Sequence, residues 1–262
     1  MRIIILIFLS GFIFSSDSKG QGNTKNILAI FPHSDDQSAV GPVLLKYSKQ
    51  ANVYIIYVVD DIDTSGLDIT PAGDSINHVK IAEAKCSCNK LNIHPIFLGM
   101  GRLIYDPGKK PGEYFTKTKK LKQILQQKIE DLKPDAIITY GPDGDSGHPE
   151  HRIVSGIITE LILYNGWAER YPLYYMGWPK EKNPKDQPEG AGELDKKYLT
   201  VEIHYSEEEE ALAFEAFTCY KKEFSVQQMQ EVKEENAADK SNIFYFRQLI
   251  VSTKRKTDLI KE

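Results

Sequence analysis

The chemistry-bearing residues of this chain fall in two short clusters. In the first, Ile27 to Asp36 reads Ile-Leu-Ala-Ile-Phe-Pro-His33-Ser34-Asp35-Asp36: an apolar run of strand length stops at a proline and delivers an imidazole and two adjacent carboxylates. In the second, Gly147-His148-Pro149-Glu150-His151 follows another apolar run, Ala136 to Tyr140. Two imidazoles and one carboxylate around an open position form the donor set of hydrolytic zinc sites. His33 and Asp36 are three apart, so a tight turn can bring both to one ion while Asp35 points elsewhere. The chain has six histidines, and His-x-Asp-Asp and His-x-x-His both come directly after apolar runs. That coincidence predicts that the two clusters are halves of one site. His78, His94 and His204 lack such neighbours and read as surface histidines.

The elements that must position these clusters follow from periodicity. After the first strand, Ser38 to Lys49 reads as a helix, and Val53 to Val59 is a continuous β-branched and aromatic run, the mark of a strand buried on both faces. Strand, helix, strand with short connections is a βαβ unit with a right-handed crossover. Ser75 to Asn92 is helical, Ile93 to Leu98 a third strand, Thr118 to Leu132 an amphipathic helix and Ala136 to Tyr140 a fourth strand. Pro149 suits the first turn of a helix that continues to Tyr164, with Ser146 as a possible cap, and puts His148 and His151 on one face of that turn. Tyr171 to Tyr175, Tyr198 to Tyr205 and Asn242 to Val251 read as further strands, and Glu207 starts another helix. The expected fold is α/β: a Rossmann-like, mostly parallel sheet with helices on both faces. In such sheets, sites form in the crevice outside the strand ends. No Gly-x-Gly-x-x-Gly follows the first strand, so no dinucleotide cofactor is expected.

The chain has 262 residues, 41% of them hydrophobic and 27% charged, enough for one catalytic domain spanning 21–262. A net charge of -4, with lysines interleaved among acids, argues against a nucleic-acid partner. Residues 1–20 stand apart. Met1-Arg2 is followed by a nearly unbroken apolar run from Ile3 to Phe14 and then by small polar residues, as in a cleaved secretory signal. The run is shorter than the roughly 20 residues of a bilayer span, so no stable membrane span is expected in the mature form. The alternative is an anchor left in place. The signal reading implies an exported protein, periplasmic or extracellular. Of the three cysteines, Cys86, Cys88 and Cys219, one of the first two could pair with Cys219, although buried apolar packing is the favoured use. The loops 60–74, 99–116 and 178–197 are candidate rims, and Tyr105 and Trp178 are candidates for stacking on a sugar face or, more often, for anchoring a core.

Pro32-His33-Ser34-Asp35-Asp36 resembles the Ala/Pro-His-Pro-Asp-Asp-Glu motif of the LmbE-like (PIG-L) zinc-dependent de-N-acetylases, and Gly147-His-Pro-Glu-His151 resembles their Gly-His-Pro-Asp-His motif. Lys80-x-x-Glu83 and Phe97-Leu98-Gly99 are similar to the family's Arg-x-x-Glu helix and Leu-Gly strand end. The resemblance covers about residues 25–165. It implies Zn2+ as cofactor, His33, Asp36 and His151 as metal ligands, Asp35 as general base and His148 as the residue that steadies the tetrahedral intermediate. It also implies an N-acetylated sugar, of N-acetylglucosamine type, or its conjugate as substrate. Ser34 stands where the family has Pro, and Gln37 where it has Glu, which removes one charge from beside the site. Two other functions remain open at this point: an amidase acting on a larger N-acyl or thiol conjugate, and a non-catalytic carbohydrate-binding protein of the same fold.

Overall fold

The structure is a computed structural model that describes residues 24–59, 71–104, 111–180, 193–250 and 254, with 71–77 and 111 described by backbone alone. The segment 1–20 expected to be a signal, Tyr105 and parts of the three candidate rim loops lie outside these residues. The strands are β1 (Asn26–Phe31), β2 (Asn52–Tyr57), β3 (His94–Phe97), β4 (Ala136–Thr139), β5 (Leu173–Pro179), β6 (Glu193–Leu194), β7 (Val201–His204) and β8 (Ile243–Gln248). The helices are α1 (Gly41–Ser48), α2 (Pro71–Leu91), α3 (Pro111–Leu132), α4 (Pro149–Tyr164), α5 (Glu207–Phe217) and α6 (Val226–Ala238).

The sheet order is β3-β2-β1-β4-β5-β8-β7, with β6 paired to β5. The pairs β3–β2, β2–β1, β1–β4 and β4–β5 are parallel, whereas β8 runs antiparallel to β5 and β7. The parallel part is expected from the alternation of apolar runs and helices. The antiparallel part is made by β8, which follows α5 and α6 in the chain and inserts between β5 and β7. Strand order reverses between β1 and β4. At such a switch point the connections leave in opposite directions and open a crevice at the carboxyl ends.

Alternation along β1 decides the two cores. Ile27, Ala29 and Phe31 face a layer with Val43 and Leu44 of α1, Cys88 and Leu91 of α2, and Ala213 and Phe217 of α5. Leu28 and Ile30 face the opposite layer, with Leu121, Leu125 and Ile129 of α3 and Val154, Ile158 and Leu161 of α4. A strand buried on both faces cannot slip by one residue without exchanging its two cores, so the position of His33 beyond its end is fixed.

Three sequence expectations need correction. The segment expected to be helical from Ser38 begins instead with a 3-10 turn, Asp36–Val40, and becomes α-helical only at Gly41. The tighter turn lets the backbone leave β1 sharply and keeps Asp36 and Gln37 buried. The cap of α4 is His148, not Ser146: its side chain accepts from the Glu150 N–H, with Pro149 at the first helical position. The cysteines do not all serve apolar packing. Cys86 and Cys219 form a disulfide with their Cα atoms 6.0 Å apart, and only Cys88 is a buried free thiol. The bridge spans 133 residues of chain and ties α2 to the end of α5. Closing so long a loop removes much entropy from the unfolded chain, so Cys86→Ser is expected to lower unfolding free energy by about 2–5 kcal/mol in denaturant titration. An unchanged midpoint would show that the bridge adds nothing to stability.

Candidate functional site

His33 leaves the end of β1 and His151 lies on the first turn of α4, and the two meet across the switch point. His33 Nδ1 is 3.2 Å from His151 Nε2. The Asp36 carboxylate completes the triangle, with Oδ1 3.3 Å from His151 Nε2 and Oδ2 3.6 Å from His33 Nδ1. His148 is close by: one ligand atom from each of His33, His148 and His151 lies within 4.8 Å of the others, a group able to hold a metal ion.

The outer contacts decide which ring atoms face the centre. His33 Nε2 lies 2.9 Å from Glu150 Oε2, and an ionised carboxylate can only accept, so the Nε2 proton points there. His151 Nδ1 lies 3.0 Å from the Gly144 carbonyl, which fixes its proton likewise. In the neutral rings, the nitrogens left facing each other both carry lone pairs. Such a pair beside a carboxylate suits a cation in the middle, and a second set of acceptors behind metal-binding histidines is the usual companion of such a site. The donor set therefore fits a divalent metal.

Neighbouring elements lock this arrangement. Asp36 Oδ2 accepts from the His33 backbone N–H at 2.7 Å, and its Oδ1 accepts from the Tyr140 hydroxyl at 3.2 Å. Tyr140 also stacks on His151, with centroids 4.0 Å apart and planes 3° from parallel. The second oxygen of Glu150 accepts from the Leu103 N–H at 2.7 Å, which ties the 99–104 loop to the site. Trp178 donates its indole N–H to Asp145 Oδ1 at 2.5 Å and packs edge-on against Phe244. It thus anchors the loop that supplies the Gly144 carbonyl, in keeping with a core anchor rather than a sugar platform.

Burial and charge separate the acids. Burial alone would raise Asp36, but hydrogen bonds from His151 and His33 outweigh it and hold the pKa near 2. Burial, and then the charge of Asp36, push the neighbouring Asp35 up to about 6. Burial opposes charge on His33, yet Asp36 and Glu150 outweigh it and push its pKa to about 10 in the metal-free protein. His148 is held below its ordinary value, first by burial and then by the charges of His33 and His151. It is an uncharged imidazole at neutral pH, whose Nδ1 accepts from Glu150 and whose Nε2 proton is available to donate.

His33, Ser34, Asp35, Asp36, His148, Glu150 and His151 line one cavity of about 360 Å³, whose rim combines apolar Val59, Ile81 and Ile104 with charged Lys80, Arg102 and Glu223. That volume suits a small ligand. All five residues singled out from the sequence meet in this cavity. Sequence reasoning missed Tyr140 and the role of Glu150. Glu150 lies within the second motif, but nothing local says that its carboxylate turns back toward His33.

A family model, PIG-L: GlcNAc-PI de-N-acetylase, matches residues 28–162. A probable N-acetyl-alpha-D-glucosaminyl L-malate deacetylase 2 from Bacillus anthracis is 24% identical over 186 residues, 69% of this chain and 78% of the relative. A 1D-myo-inositol 2-acetamido-2-deoxy-alpha-D-glucopyranoside deacetylase from Corynebacterium diphtheriae is 34% identical over 99 residues, only 35% of this chain and 33% of the relative. The fold is similar to that of a deacetylase of the teicoplanin biosynthesis pathway, with a TM-score of 0.65 at 16% identity over 88% of this chain and 100% of that one. With both motifs inside a match that spans more than half of its residues, the chain belongs to the PIG-L family of de-N-acetylases.

Proposed function

We propose that the protein is a zinc-dependent hydrolase that removes the acetyl group from an N-acetylated sugar of the N-acetylglucosamine type, free or conjugated. The observation that carries this reading is the convergence of His33 Nδ1, His151 Nε2 and the Asp36 carboxylate beside the raised carboxyl of Asp35 in one cavity. The family and its relatives that act on N-acetylglucosamine conjugates support the substrate class.

His33, Asp36 and His151 would hold the ion. Zinc, when bound there, supplies Lewis acidity to an amide carbonyl and to water. The protein does the rest. Asp35 takes a proton as water attacks the acetyl carbon, then returns it to the sugar nitrogen as the C–N bond breaks, releasing acetate and a free amine. A carboxyl with a pKa near 6 suits both halves of that exchange. His148 donates its Nε2 proton to the oxygen on which negative charge develops, acting as a neutral hydrogen-bond donor. Glu150 holds His33 in the tautomer that presents Nδ1, and Tyr140 and Gly144 do the corresponding work for Asp36 and His151.

We read the mature protein as a single domain that works outside the cytoplasm. The Cys86–Cys219 bridge supports this, because structural disulfides persist in oxidising compartments. No helix among the described residues is long and apolar enough to cross a membrane.

Two substitutions test the assignment. Asp35→Asn is expected to retain one zinc per chain by elemental analysis while acetate release falls by about 10²–10⁴-fold. Undiminished acetate release at equal metal content would remove Asp35 from the role of base. His151→Ala is expected to abolish stoichiometric zinc binding, and turnover with it. A variant that still carries one tightly held zinc would mean that the ion sits elsewhere.

A further inference from the structure

The segment Cys219–Glu223 lies outside the family match, yet it reaches the catalytic cavity. Glu223 lines that cavity directly. Three contacts from α2 strap the segment down: the Cys86–Cys219 disulfide, a 2.8 Å hydrogen bond from the Lys222 N–H to Glu83 Oε1, and a 3.2 Å ion pair between Lys80 and Glu223. At the centre of the strapped segment is Tyr220, 1% exposed. Its hydroxyl donates to the Ser34 carbonyl at 2.6 Å and accepts from the Gln37 side-chain amide, which also reaches Ser87 Oγ at 3.2 Å.

The Ser34 carbonyl belongs to the same planar peptide group as the nitrogen of Asp35. Fixing that plane fixes the N–Cα bond of Asp35. The 3-10 turn that follows, closed by the Ser38 N–H on the Asp35 carbonyl at 2.9 Å, holds the rotation about that bond. Together they fix the direction in which the Asp35 side chain leaves the backbone. We propose that Tyr220 is a positioning residue, whose hydroxyl grips the Ser34–Asp35 peptide and so aims the Asp35 carboxylate into the cavity, held in place by the strap from α2. The inference rests on the reading of Asp35 as the base.

It also gives Gln37 a use. Gln37 is fully buried and its amide donates toward Tyr220, which leaves the phenolic proton for Ser34. An ionised glutamate at that position could only accept, and would compete with Ser34 for this proton. The amide thus directs the hydroxyl onto the peptide that carries the base.

Tyr220→Phe deletes one oxygen and leaves the ring packed, so the fold should be retained. In the zinc-loaded protein, kcat for acetate release is expected to fall about 10–100-fold with KM within about twofold of wild type, as for a misaligned catalytic group. Metal content should be unchanged. Hydrogen exchange read by mass spectrometry on the peptide covering 33–38 is expected to quicken, while the β4 and β5 peptides stay as protected as in wild type. Unchanged exchange at 33–38, or a rise in KM without loss of kcat, would overturn the proposal. Absence of turnover in the wild type would instead fail the functional reading, and the exchange measurement would still decide the role of Tyr220.

Discussion

Two imidazole nitrogens, each with its proton committed elsewhere, face one another 3.2 Å apart above a buried carboxylate. Lone pairs at that distance repel unless a proton or a metal ion sits among them, and the rest of the site serves to hold them there regardless. In the metal-free protein the charge falls on His33, whose pKa Asp36 and Glu150 push up to about 10 against its burial. A site of this kind is preorganised for a cation, because the hydrogen bonds behind the ligands are made before the ion arrives. A metal ion taking up these lone pairs would displace that proton, and its binding would then release it.

The sheet makes such a junction possible at low cost. Because strand order reverses between β1 and β4, neither crossover connection covers the crevice between their carboxyl ends. The turn after β1 folds into a 3-10 helix, and the turn after β4 runs through glycines with positive φ at 144 and 147 before Pro149 opens α4. A Cβ at Gly144 would stand 2.6 Å from Arg152 Cγ and 2.9 Å from the His148 carbonyl oxygen, so the close return of this loop requires glycine there. That same residue presents its carbonyl to His151. Backbone conformation and the His151 tautomer are set by one position.

Much of this was legible in the sequence because the chemistry follows the strands directly. The apolar runs at 27–31, 53–59 and 136–140 announce buried parallel strands, and the ligand types that end two of them announce a site. What could not be read is whatever depends on sheet order and on side chains returning from afar. The antiparallel β8 is locally a strand like any other, and only its pairing with β5 and β7 gives its direction. Tyr140 reads as the last residue of a strand, and its hydrogen bond to Asp36 spans 104 residues. Tyr220 sits 186 residues from the carbonyl it holds, in a segment with no motif at all. The sequence favours apolar packing for the cysteines and leaves a bridge to Cys219 open, because only the position of α5 decides that Cys86 rather than Cys88 meets Cys219.

Asp35 and Asp36 show how one peptide bond can separate two roles. Both are carboxylates and both lie in the same cavity, yet one is held near 2 and the other raised to about 6. The difference arises from partners. Asp36 accepts from a backbone N–H and a phenol and lies beside two imidazoles, of which His33 carries a positive charge in the metal-free protein, and all of these favour its charged form. Asp35 has the desolvation of the cavity wall and the repulsion of Asp36, both of which favour the neutral form. Where two neighbouring acids are driven apart in this way, the low one is suited to bind a cation and the high one to exchange a proton near neutrality. The proposed roles of ligand and base thus draw on burial and hydrogen bonding as well as on a motif. Exchanging the two roles would require Asp36 to give up every hydrogen bond that keeps it ionised.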